Sequence, residues 1–575
     1  MAADAGKKVK MSPFPRSFYV ANVMEIFERM AWYGFFAVSS LYMTSPIAQG
    51  GLGFTSEQRG ILQGIIPFLL YLFPVITGAL ADRFGYRKTF LVAFAIMTPS
   101  YFLLGQFHSF WTFFGIFLMV AIGAATFKPV VVGTVGRTTD DTNRGMGFGI
   151  FYTIVNIGGF FGPLVAGYVR AISWDLVFVM SAVWIGLNFI PTLFFYKEPA
   201  AKGGDTDKKS IKQVLIGAQE VLGNGRFALT VVPVIFLMML SGGGWVGWNI
   251  TLSIAAGWVV INLVWNVLAK GDEKAPWFAQ KAKIGNWPFV FYLLILSGFW
   301  ASFNQIFITL PEYIRDFVDT GDLVRNLAVF GPGFTQFIAS VNIEQLSTEI
   351  VRLSQEHGAI TVAQAEQVFF ELVHYKVRIP IEEISAVFTQ LASMPTIDEA
   401  TVATIANEWA EKYRQVNPEY IVNIDAGAIV IFQILVSFVI QRWKPFPVLV
   451  VGTIVAGTGI ALNSIAITGI FTVFAIVVFA FGEMIASPKS QEYVAKIAPG
   501  NKTALFMGYY FVSVALGNLF GGILSGQGYT VLAREMNRPD LMWILFGVIG
   551  FATAGALLVF NKFVVPTLEK NNNGE

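Results

Sequence analysis

The sequence predicts an all-α membrane protein with fourteen spans, grouped six, two and six, and one small water-facing helical insert. Three observations predict it. Only 13% of the 575 residues are charged, about half the share usual in soluble domains. Mean hydropathy is +0.61, with 55% hydrophobic residues. Apolar runs of roughly 18–28 residues recur along the chain, long enough to cross a ~30 Å hydrocarbon core.

The elements follow in chain order. The tail "MAADAGKKVKMSPFPRSFY" is basic and has no cleavable signal pattern before the first span. Spans are expected near 17–44, 58–80, 88–107, 110–135, 145–170 and 174–196, which makes residues 1–196 a six-helix bundle. Residues 197–284 then hold a polar linker (197–226) and an apolar block (227–269) that "SGGGW" at 241–245 splits into a two-helix hairpin. Spans near 285–314, 419–441, 446–466, 469–487, 503–525 and 540–561 complete a second bundle, from 285–315 and 417–575. With a cytoplasmic amino terminus, most of the 39 Lys and Arg residues fall in inside loops and tails. The expectation is a multi-pass protein of the cell (inner or plasma) membrane, seated in the bilayer, with both termini cytoplasmic.

Residues 316–416 interrupt this rhythm on the outer side. Stretches at 343–358, 362–374 and 381–393 carry apolar residues at helical spacing. A fourth, 396–415, opens with Thr396 and places Glu399 three residues on, a capping-box pattern. The segment has more acidic than basic residues. It reads as a solvated helical domain, with a partner-docking or substrate-gathering role as the alternative.

Composition also excludes functions. No cysteine is present, which removes disulfides, thiolate metal sites and Cys nucleophiles. His108, His357 and His374 do not cluster. No metal-ligand spacing or nucleophile elbow is visible, so no metal, no cofactor and no enzyme activity is expected. A net charge of +2 gives no basic field for nucleic acid.

Three charged positions carry the functional reading. In "VMEIFERMAWYGFFAV" (23–38), Glu25, Glu28, Arg29 and Trp32 share one helix face. Charges at membrane depth normally face a bundle interior or cavity. Two carboxylates beside one guanidinium leave one charge unbalanced, so one carboxylate would carry a proton part of the time. A structural ion-pair cluster fits the spacing equally well. Lys128 sits mid-span before Pro129, and a buried Lys needs an anion. Glu483 is a lone acid in the tenth core span. A cavity between the halves would thus be cationic on one side and acidic on the other, suiting a short zwitterion.

At these residues the sequence resembles the proton-coupled oligopeptide transporters of the major facilitator superfamily. The motifs are "EIFERMAWYG" (25–34), "GALADRFGYRK" (78–88), "FKP" (127–129), "FYTIVNIGGFFGP" (151–163), "FWASFNQ" (299–305) and "GEMIASPKSQEYVAKIAP" (482–499). The resemblance covers nearly the whole chain except about 316–416. It implies the major facilitator fold, with twelve core helices in two bundles. It also implies a symporter that imports di- or tripeptides by alternating access, with protons as the coupling ion. Glu25, Glu28, Arg29 and Lys128 would form the proton-coupling group. Arg29, Tyr33 and Lys128 would hold the peptide carboxylate. Tyr71, Asn156 and Trp300 would line the site, and Glu483 would take the amino terminus. Gly78, Asp82, Arg83, Arg87 and Lys88 would form a cytoplasmic latch. The chain departs at Asn304, where many members carry an acid, so Lys128 lacks that partner and would either pair with the first-span acids or leave the coupling altered or lost. A monomer is expected. The alternatives are a carrier for another small anionic or zwitterionic solute, and a scaffold or receptor acting through 316–416.

Overall fold

The computed structural model describes residues 13–564, apart from 141–142, 200–215, 217–218, 270–275 and 499–502. Most of the amino-terminal tail and much of the 197–226 linker therefore lie outside the described residues. Among the described residues, helices are joined by turns, and β structure is limited to isolated bridges.

Among the described residues, eleven helices are long and apolar enough to cross a membrane, and a bent pair, Ser56–Leu72 with Ile76–Phe84, makes a twelfth if it is one span. The two remaining expected spans are also single helices, Arg16–Thr44 and Tyr86–Leu104. They are more polar, the first through Glu25, Glu28 and Arg29 and the second through Arg87 and Lys88. A bilayer core offers no water to backbone groups, so each segment must satisfy them within itself. That requirement makes helices of these runs whatever their side chains.

Local chemistry sets the boundaries. Thr55 and Gln58 form a capping box that starts the second span. Pro74 interrupts that span, which bends by 45° there. The hairpin helices are Gly225–Gly242 and Trp248–Leu268, divided at the glycine run. The hairpin seats Trp248 on Gln527 (Nε1 to Oε1, 3.1 Å) beside the seam between the second and eleventh spans. It buries Arg226, which donates to Asn262 beneath the Trp265 ring.

The insert folds around its own core, which includes Leu346, Ile350, Val368, Phe388 and Trp409. Its main helices are Ile343–His357, Val362–Leu372, Ile381–Ala392 and Glu399–Tyr413. Shorter helices at Gly321–Leu327 and Pro332–Ile338 precede them and were not expected. The capping box expected at Thr396 does not form. The helix starts at Glu399 with Asp398 at its N-cap and no side-chain cap bond. Thr361 and Gln364 form a capping box instead.

The insert is rooted at Asp316, which accepts from Arg315 (2.7 Å) and Arg534 (2.5 Å) and from the Tyr529 hydroxyl. Burial alone would raise this carboxyl. Arg315 and Arg534 outweigh it and hold the group well below the usual carboxylate range.

Hydrogen bonds and ion pairs join the two halves at the end that bears the insert. Arg59 meets Glu312 at 2.9 Å, and Arg170 meets Glu419 at 3.0 Å. Ser40 donates to the Ile308 carbonyl at 3.0 Å. The second and eleventh spans touch backbone to backbone there. A Cβ on Gly60 would lie 2.4 Å from the Gly522 oxygen, so only glycine allows this approach.

Candidate functional site

The first span presents its charged face inward, as the i, i+3, i+4 spacing requires. Glu25 and Glu28 are fully buried, and Arg29 is 6% exposed. Arg29 Nε donates to Glu28 Oε2 at 2.5 Å and lies 3.3 Å from Glu25 Oε1. The fourth span adds Lys128, whose Nζ donates to Glu25 Oε1 at 3.1 Å. The sequence left one carboxylate unbalanced, and the structure corrects this: two carboxylates face two cations. Of the outcomes open for Lys128, the structure has the pairing with a first-span acid, and Glu25 bridges Arg29 and Lys128. Gly158 of the fifth span makes room for this group, since a Cβ there would sit 2.5 Å from the Arg29 Cβ.

A cavity of about 220 Å³ lies between the halves. Arg29, Tyr33, Tyr71 and Asn156 line it from the first half, and Trp300, Asn304 and Glu483 from the second. Tyr33 lies under the Arg29 guanidinium, 5.5 Å from ring centroid to Cζ. Tyr71 stacks on Phe511 across the halves, at 6.0 Å. Asn156 Nδ2 donates to the Tyr152 carbonyl at 3.0 Å. Lys128 is not among the lining residues; it reaches the site through Glu25.

The second-half wall holds a feature the sequence reading missed. Asp425, 2% exposed, meets Glu483 carboxyl to carboxyl. Lys489, six residues on, pairs with Glu492 at 2.8 Å and not with Glu483. A signal was available, since Asp425 is the sole charged residue of the apolar run 421–440. The rule that singled out Glu483 applies to it equally. Arg59, Arg170, Glu312 and Glu419 were also missed. Each lies near a span end, where a charge reads as ordinary.

The loop-motif residues come together, but within the first half. Asp82 accepts from Arg137 at 3.0 Å and from the Tyr86 hydroxyl at 3.2 Å. Arg87 donates to the Thr192 and Leu193 carbonyls. Gly78 faces Pro129, and Arg83 lies over the Phe84 ring. Lys88 is exposed. These contacts tie together the second, third, fourth and sixth spans.

No group of three or more metal-ligating side chains is found among the described residues.

The Major Facilitator Superfamily matches residues 26–348 and 411–575. A di-/tripeptide transporter of Lactococcus lactis subsp. lactis (strain IL1403) is 28% identical over 188 residues, 32% of this chain and 37% of that protein. A peptide transporter of Yersinia enterocolitica is 25% identical over 330 residues, 53% of this chain and 61% of that one. The chain thus spans between about a third and three fifths of the length of these relatives. Among solved structures, a POT family transporter in complex with 5-aminolevulinic acid superposes with a TM-score of 0.59 at 17% identity, covering 96% of this chain and 97% of that one. A nucleoside transporter superposes with a TM-score of 0.52 at 11% identity, covering 94% and 99%. At such identities the structures speak for the fold alone.

Proposed function

Given that this chain belongs to the major facilitator superfamily and is a transporter rather than an enzyme, we propose that it is a proton-coupled symporter of the oligopeptide branch, importing di- and tripeptides across the cell membrane. The observation that carries the reading is the shared cavity, with the Arg29 guanidinium on one wall and the Glu483 carboxyl on the other. A short peptide is a zwitterion whose ends match those walls. Its carboxylate meets Arg29 over Tyr33, and its ammonium meets Glu483. Tyr71, Asn156 and Trp300 supply apolar and hydrogen-bonding surface between the charged ends.

Coupling follows from competition for Arg29. A substrate carboxylate that engages the guanidinium takes it from Glu28, which is fully buried. An uncompensated carboxylate there is costly, so Glu28 takes up a proton. Lys128 holds Glu25 meanwhile. Proton and substrate are then bound together, as symport needs. The halves are joined at the insert end by Arg59–Glu312 and Arg170–Glu419. That supports alternating access, with the insert end closed in this conformation.

Uptake into proteoliposomes tests the reading, comparing dipeptides, tripeptides and nitrate with and without an inward proton gradient. The expected result is gradient-driven accumulation of the peptides and none of nitrate. Nitrate uptake without peptide uptake overturns it. A Glu28→Gln protein that still concentrates dipeptide under the gradient overturns the coupling step.

A further inference from the structure

Asp425 and Glu483 bring two carboxyl groups into contact at membrane depth with nothing to neutralise them. Asp425 Oδ1 and Glu483 Oε2 are buried and have no hydrogen-bond partner. The charged groups around them are few. The ninth span, Pro445–Leu462, and the eleventh, Thr503–Gln527, contain no Lys, Arg, Asp or Glu. On the tenth span, Lys489 is engaged by Glu492 at 2.8 Å. On the eighth, Glu419 is engaged by Arg170. The fifth span presents the Tyr152 phenol, which feels both acids but carries no positive charge. Across the cavity, Arg29 and Lys128 are held by Glu28 and Glu25. No cation among the described residues lies within ion-pair distance of either acid.

A second observation points the same way. Asn304 lines the same cavity with an Nδ2 that has no partner, and the Trp300 indole, 9% exposed, lines it beside the Tyr510 hydroxyl. The wall offers donors and acceptors to something not supplied by protein. Asn304 itself stands where an acid was expected, so the acidic function on this wall lies with the eighth and tenth spans.

Two carboxylates in contact, shielded from bulk solvent and without a cation, cannot both ionise. We infer that Asp425 and Glu483 form a proton-binding site on the second half, holding one proton between their two carboxyl groups. The proton comes from hydronium of the aqueous solution, leaving water behind; it binds one carboxylate oxygen, and the other carboxylate accepts the hydrogen bond. The protonated pair has a single negative charge. Its consequence for transport, which rests on the symport reading, is that this one charge matches one substrate ammonium. A dianionic pair would overbind a cation, and a doubly protonated pair would not bind it.

Infrared spectroscopy of the full chain in lipid nanodiscs tests the site without any substrate. The expected result at neutral pH is a carboxylic-acid carbonyl band that shifts in heavy water. It is lost in the double variant Asp425→Asn with Glu483→Gln and kept in Glu28→Gln. Should the double variant not fold, each single substitution is expected to move the band, because its hydrogen-bond partner changes. Absence of the band in the natural chain, its survival in the double variant, or an unmoved band in both single variants overturns the inference. Failure of peptide uptake would overturn the transport reading and leave the band in place.

Discussion

The two walls of the central cavity solve one problem in opposite ways. On the first-half wall, Glu25 and Glu28 are neutralised by Arg29 and Lys128, at 2.5 to 3.3 Å. On the second-half wall, Asp425 and Glu483 face one another with no cation of the described residues within ion-pair distance. A charge at membrane depth must be balanced by a counterion or removed by a proton. The first wall uses counterions and the second uses a proton. The first is therefore rigid until a substrate competes for its guanidinium, whereas the second is titratable at rest.

This contrast can be broken by substitution, and the largest effect is expected at Arg29. Arg29→Ala leaves two buried carboxylates with one cation, a change costing about 3–5 kcal/mol. Thermal unfolding in detergent should show the loss, and gradient-driven uptake should disappear. Asp425→Asn breaks no ion pair and leaves an amide that can donate to Glu483 in place of the shared proton, so it should leave the unfolding temperature nearly unchanged. Equal losses in the two variants would mean that the walls do not differ as described.

The next effect lies at the closed end. Glu312→Gln weakens the buried pair with Arg59 by about 1–3 kcal/mol, because the amide still accepts from the guanidinium but has no charge. The closed end should then open more often. The chain has no cysteine, so a single cysteine placed at Ser40 reports opening directly as faster thiol labelling. An unchanged rate would exclude this pair as a gate.

The insert gives a pH-dependent contrast outside the membrane. Burial, reinforced by Arg170, lowers the Lys376 amine to about 7. Below about pH 7 the amine is protonated in folded and unfolded chains alike, and no slope arises. Between that value and the model-peptide value of 10.5, the unfolded chain binds the extra proton, so stability rises with pH. Lys376→Met should flatten that rise in unfolding measured from pH 7 to 10. Burial, then Arg315, pushes the His374 imidazole down to about 3, so it adds nothing in this window. The smallest effect is expected at Arg352, which bonds Glu349, Glu356 and Glu371 on the insert surface. Arg352→Ala should cost at most about 1 kcal/mol and leave uptake unchanged.

Much of this molecule was legible along the chain because the bilayer makes its rules local. Each span must close its own backbone hydrogen bonds, so apolar length alone located the long helices. Spacing alone put Glu25, Glu28 and Arg29 on one face. What spacing could not supply was a partner from another span. Glu25 meets Lys128 across 103 residues, and Arg170 meets Glu419 across 249. The bond between Asp425 and Glu483 likewise depends on how the eighth span lies against the tenth. Thr396 failed as a cap for a similar reason, since the helix begins at Glu399, beyond its reach. Periodicity and hydropathy belong to single segments and were settled by the sequence. The balance of charge between segments is a property of their packing, and only the tertiary structure decided which acids found a cation and which were left to share a proton.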